Sequence, residues 1–232
     1  MIQEGMTTLG KAASIHVGLG FDTASYVDLD KAKAMRAAGY AFVARYLRRD
    51  QHVNQNPDLS GGAVSLSVLE LRQLLAADLQ VSLVQFGDGK LVPSAEQGTT
   101  VGAAAAANAR ALGAPSSVTL WCDVEWSSAS APTDPQPVLD YINAWAAQVV
   151  AGGYRAGLYV GPNVPVDGKS LYYDLPKITG YWKAASKTSW VAERGFQIIQ
   201  GLSFTTTEGL DIDPDMAAYD GRGDRCTVIA PS

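Results

Sequence analysis

From His16 to Gly161 the chain alternates short apolar runs with helix-forming stretches, and few folds accept that rhythm. HVGLGFD, YAFVARYL, QVSLVQFG, VTLWCDVEW and YRAGLYVG read as strands. Between them, DLDKAKAMRAAG, SLSVLELRQLLAADL, a segment from about residue 94 to 112, and QPVLDYINAWAAQVVAGG read as helices. Alternation of this kind predicts parallel strands joined by helical crossovers.

After residue 161 the rhythm breaks. GYWKAAS, FQIIQGL and GLDIDPDM read as three more strands, but the gap between the last two is too short for the dozen or so residues of a parallel crossover. The expected fold is therefore α/β, an irregular TIM-like barrel of five β/α units followed by three strands with few or no helices. An open doubly wound sheet is the rival. It is disfavoured because GLGFDT has the first two glycines of a dinucleotide fingerprint without the third. The expected division is an N-terminal extension over 1–16, the barrel over 17–220 and a C-terminal tail over 221–232.

With 232 residues and 47% hydrophobic content, the chain suffices for one large domain with a full core. A net charge of -5 leaves no basic stripe to neutralise phosphates, so nucleic acid is not an expected partner. Cys122 and Cys226 are expected as free thiols. The start MIQEGMTTLGKAASIHVGLG lacks a basic region followed by an apolar run. No signal peptide is expected, and action at the cell wall or periplasm requires delivery by another system. The run VGAAAAANARALGA is shorter than the roughly 18 apolar residues of a spanning helix and carries Asn108 and Arg110, so no membrane insertion is expected. Its small side chains suit close helix packing.

Barrels of this type carry their chemistry at the C-terminal ends of the strands. The acids fall there: Asp22 after the first strand, Asp123 and Glu125 after the fourth, Asp211 and Asp213 at the eighth. Strand alternation puts Trp121, Asp123 and Glu125 on one face. Two inward carboxylates cost several kcal/mol unless paired or hydrated, which argues for a functional role. Asp28 and Asp30 read instead as helix caps. The loops RRDQHVNQNPDLSGGAV and SSASAPTDPQP are expected to rim the same mouth.

Tyr46, Trp126, Tyr159, Tyr181 and Trp182 lie at or near the same strand ends, with flat rings suited to sugar faces. Carboxylates with aromatics favour glycoside hydrolysis, in which two acids flank an oxocarbenium-like transition state. Expected substrate contacts are Asp213, Arg45, Tyr46, Trp126, Tyr159 and Trp182. Same-face strand neighbours sit about 6.6 Å apart at Cα, which leaves retaining and inverting routes both open. No cofactor or metal is expected. His16 and His52 have neither metal-ligand spacing nor a nucleophile beside them, and DIDPD lacks the Gly and Glu that a calcium loop needs at its later positions.

The segments GFDTAS, AGYAFVARYL, LWCDVEW, AGGYRAGLYVG, YWKA and GLDID, in that order over roughly 17 to 216, resemble the glycoside-hydrolase-like domain family of bacterial and phage proteins. That family is similar to glycoside hydrolase family 25, the Chalaropsis-type lysozymes, whose barrel has five strand-helix units followed by three strands. The resemblance implies Glu125 as acid/base, with Asp123 orienting an N-acetyl group or stabilising positive charge. It implies that Asp22 and Asp211 position substrate and tune Glu125, and that Gln200 contacts substrate. Two positions depart: Glu125 stands where relatives often carry a second Asp, and Asp213 stands where the lysozymes carry Asn. The expected partner is peptidoglycan or a related N-acetylated glycan. The alternatives are a non-catalytic glycan-binding or phage-structural module on the same barrel, and a toxin directed at a competitor's envelope.

Overall fold

The computed structural model of the protein describes residues 8–48, 65–85, 91–186 and 188–232. The strands are β1 (Lys11–Ser14), β2 (Gly18–Asp22), β3 (Phe42–Tyr46), β4 (Gln80–Gln85), β5 (Thr119–Val124), β6 (Arg155–Val160), β7 (Ile178–Lys183), β8 (Ile198–Gln200), β9 (Thr205–Thr207), β10 (Leu210–Ala217) and β11 (Thr227–Ala230). The helices are α1 (Leu29–Ala37), α2 (Val68–Ala76), α3 (Ala95–Ala111), α4 (Gln136–Ala151) and α5 (Gly168–Tyr173).

β2 to β8 run parallel in chain order, β4 pairs with β5, and β10 closes the ring antiparallel to both β8 and β2. This is a closed eight-stranded mixed barrel with five helices among the described residues, as the rhythm predicts. The final strand reverses direction because its connection is short: β9 and β10 form a hairpin of three register pairs.

Each helix starts where its sequence offers a cap. Asp28, Ser67, Ser94 and Asp167 accept from backbone N–H groups in the first turns of α1, α2, α3 and α5, while α4 starts on Pro135. Asp30 lies in the first turn of α1, where its charge suits the helix dipole. Gly98 and Gly102 bring α3 against α4, since an added Cβ would fall 2.2 Å from the Tyr141 carbonyl oxygen and 2.5 Å from that of Trp145.

Two apolar layers result. The larger lies between strands and helices and includes Phe21, Val43, Leu71, Val124 and Ile142. The smaller fills the barrel and includes Phe42, Ala44, Trp121, Trp182 and Ile198. Trp121 is fully buried, donates to Ser82 Oγ at 2.8 Å, and fits because Gly157 leaves space: a Cβ there would lie 2.5 Å from its ring.

The end segments, which the sequence analysis sets outside the barrel, pair with each other. β1 lies antiparallel to β11, β11 touches β4, and Ile15, Cys226 and Val228 join the interior cluster. Both cysteines are free and buried. No helix among the described residues is long and apolar enough to cross a membrane.

Candidate active site

Asp22, Asp123, Glu125 and Asp213 line one cavity of about 160 Å³ at the C-terminal mouth of the parallel strands. Tyr46, Tyr159, Trp182, Gln200 and Val84 complete its wall. Among the described residues, the lining has no Lys, Arg or His.

Asp123 is the last inward residue of β5, and Glu125 follows two positions later beyond the strand end. Glu125 has room because of Gly161, where an added Cβ would fall 2.4 Å from the Glu125 Cβ. Burial, and then the Asp213 carboxylate, raise the pKa of Glu125 above the ordinary glutamate value.

Asp22 ends β2 and is 4% exposed. Its Oδ2 accepts from Gln200 Nε2 at 2.8 Å and its Oδ1 from Tyr46 Oη at 3.3 Å. Gln200 in turn accepts from Tyr159 Oη at 3.0 Å and from the Ala185 N–H at 3.3 Å. Burial, opposed by the Gln200 and Tyr46 bonds and aided by Asp213 and Glu125, pushes Asp22 up to about 7. One side of the mouth is thus held by a Tyr46–Asp22–Gln200–Tyr159 chain, with Asp123 and Glu125 on another.

Because β10 runs antiparallel, its acids enter the barrel from its N-terminal end. Asp213 lies at the rim opposite Asp22, and Asp215 lies one layer deeper opposite Gly20. Asp215 is 2% exposed and accepts from Trp182 Nε1 at 3.0 Å, while its Oδ2 has no partner among the described residues. Burial, and then Asp22, raise it well above the aspartate value. Sequence reasoning passed over Asp215, although the two-residue period of DIDPD puts it on the face of Asp213.

Three expected site residues lie outside the cavity. Asp211 sits beyond the rim in the β9–β10 hairpin, exposed, where its Oδ1 accepts from Thr206 Oγ1 at 2.7 Å. Arg45 is adjacent to inward-facing Tyr46 and so points outward. It is fully buried and grips Glu70 with Nε at 2.7 Å and Nη2 at 3.1 Å. Trp126 packs in the outer layer and donates to the Leu91 carbonyl at 2.8 Å. Tyr181 likewise belongs to the outer layer. The expected rim loop over 49–64, with His52, lies outside the described residues. Among the described residues no group of three or more His, Cys, Asp or Glu forms a metal site.

An eight-stranded mixed barrel with few helices in its last part and a carboxylate-lined mouth defines a glycoside-hydrolase-like domain. The chain belongs to the Rv2525c-like, glycoside hydrolase-like domain family, whose model matches residues 33–217. No curated protein matches it.

Among solved structures, the Tat-secreted protein Rv2525c of Mycobacterium tuberculosis is similar at TM-score 0.62 and 18% identity, over 88% of this chain and 96% of that one. A bacterial lysozyme from Streptomyces coelicolor is similar at TM-score 0.60 and 13% identity, over 90% and 95%. The glycosyl hydrolase 25 GHIP of Streptococcus pneumoniae is similar at TM-score 0.55 and 13% identity, over 86% of each chain. At these identities the likeness is one of fold, and the fold is that of the family 25 lysozymes.

Proposed function

We propose that this protein is a glycoside hydrolase that cleaves bacterial cell-wall peptidoglycan between N-acetylated sugars, in the manner of a lysozyme. The observation that carries the reading is the Asp123 and Glu125 pair in a cavity whose walls include Tyr46, Tyr159 and Trp182. Glu125, with its raised pKa, keeps a proton for the leaving oxygen and takes one back from water as a general acid/base. Asp123 supports the N-acetyl oxygen as it attacks the anomeric carbon, Asp22, held by Gln200 and Tyr46, positions the sugar, and Asp213 adds negative potential where the sugar becomes cationic. The site of action is the cell wall or periplasm.

The test is mass spectrometry of soluble fragments after incubation with peptidoglycan, beside Glu125→Gln. Wild type is expected to release reducing-end muropeptides and the variant to lose about a hundredfold or more in rate. Glycan stripped of its acetyl groups should resist cleavage. Equal cleavage of stripped glycan would remove Asp123 from the assisting role. No release by either protein, with both sedimenting with the wall, would replace the enzyme by a binding module.

A further inference from the structure

The barrel has a second cavity of about 200 Å³ at its opposite end, where the parallel strands begin. Thr119 and Arg155 open β5 and β6 as register partners, Gln197 immediately precedes β8, and Arg225 precedes β11. Arg194 joins them, so three guanidinium groups line one cavity whose only carboxylate among the described residues is Asp224. In a chain of net charge -5, this concentrates positive charge at the end remote from the acids.

Two of the three are tied in place. Arg194 donates to the Thr179 carbonyl and Asp220 Oδ2, both at 2.8 Å, and to Asp224 Oδ2 at 3.1 Å. Arg225 donates to the Ile15 carbonyl at 2.9 Å and lies 4.9 Å from the centre of the Tyr219 ring. Asp220 is saturated, because it also accepts from Gln197 Nε2 at 3.0 Å and from the N–H groups of Arg222 and Asp224 at 2.9 Å. Both Asp220 and Asp224 are bound by Arg194, so neither Arg225 nor Arg155 has a carboxylate partner among the described residues.

Arg155 is the less tied of the two. It is exposed, and its guanidinium has no hydrogen-bond or ion-pair partner among the described residues. Gln197, which lines the same cavity, is 1% exposed and its Oε1 has no partner among them either. A buried amide oxygen left alone costs roughly 1–3 kcal/mol, so a ligand that donates to it is favoured.

We propose that this cavity binds a phosphate group, either inorganic phosphate or the terminal phosphomonoester of a larger molecule. The Arg155 fork offers paired N–H donors of the kind that suits phosphate oxygens. The Thr119 hydroxyl adds a donor from the neighbouring strand. The P–OH of monohydrogen phosphate, or of a singly ionised monoester, supplies the donor that Gln197 Oε1 lacks, which a carboxylate does not.

Isothermal titration of the full chain with inorganic phosphate at low ionic strength tests this, with glycerol 3-phosphate and acetate in parallel. One saturable site is expected, weakened about tenfold or more by Arg155→Ala and recovered in part by Arg155→Lys, which keeps the charge and loses the fork. Tighter binding of glycerol 3-phosphate identifies a monoester; equal or tighter binding of phosphate identifies the free ion. Absence of a saturable site, equal binding of acetate, or unchanged affinity in a folded Arg155→Ala protein would overturn the proposal. The outcome is independent of any activity toward glycan.

Discussion

Asp213 lies directly opposite Asp22 where β10 crosses the mouth of the barrel antiparallel to β2, so two carboxylates share one rung. Like charges placed opposite each other destabilise a sheet. Here the conflict is relieved by a proton: burial and the neighbouring acids push Asp22 up to about 7, and Asp213 is itself raised by burial. The mouth is therefore held together partly by protonation, which gives its stability a sign with pH.

Between the aspartate value of 3.8 and about 7, native Asp22 holds a proton that the unfolded chain has released. Stability falls as pH rises through that window, and the penalty is complete above it. Asp22→Asn carries no such penalty, so its stability relative to wild type should improve from pH 4 to pH 8 by a few kcal/mol, roughly. Urea unfolding of both proteins at the two pH values measures it. A difference that does not change with pH would show that Asp22 is ionised throughout.

Asp213 and Asp211 should behave differently despite their spacing. Asp213 is the second cause, after burial, of the raised Glu125 pKa. With Glu125 as general acid, activity is lost as pH rises through its pKa, and Asp213→Asn should move that limb to lower pH. Asp211→Asn should leave the limb in place, because its carboxylate is tied to Thr206 beyond the rim. Parallel pH–rate profiles would decide, and a shift caused by Asp211→Asn would put that residue back in the site.

These differences mark what could be read from the sequence. All eight barrel strands and the four longer helices are visible as period-2 and period-3.6 patterns, and the inward face of β5 follows from alternation alone. Direction is not. Periodicity is the same whichever way a strand runs, so DIDPD shows three acids on one face without showing that Asp211 lies outermost and Asp215 deepest. Arg45 was misplaced although the pattern held the answer, since it and Tyr46 are consecutive in β3 and cannot both face inward. The pairing of β1 with β11 joins residues more than two hundred positions apart, beyond any local signal.

The outward position of Arg45 makes its own prediction. The Arg45–Glu70 pair is fully buried, and it also secures the loop after β2: Arg45 Nη1 donates to the Thr23 carbonyl at 2.6 Å, and Glu70 Oε1 accepts from the Val27 N–H at 3.0 Å. Glu70→Ala strands a buried guanidinium and should cost about 3–5 kcal/mol. Replacing both by apolar residues of similar volume should cost much less, because no charge is left unpaired. Denaturant midpoints of the two variants test this, and equal losses would mean that packing rather than charge holds the loop.

Glu125 is the side chain whose position the proposed chemistry depends on most, and Gly161 sets it. A Cβ at Gly161 would lie 2.4 Å from the Glu125 Cβ and 2.6 Å from the Val124 carbonyl oxygen. The backbone has little freedom to yield, because Gly161 N–H donates to that same carbonyl at 3.0 Å and Trp126 N–H to the Pro162 carbonyl at 3.1 Å. Gly161→Ala must therefore push the Glu125 side chain or open the β5–β6 rim. Displacement of a catalytic group by about 1 Å can cost on the order of a hundredfold in rate. The variant should accordingly lose kcat while KM changes little, since Tyr46 and Gln200 lie on other strands. If kcat is retained, Glu125 tolerates displacement and its role as proton donor at a fixed point is wrong.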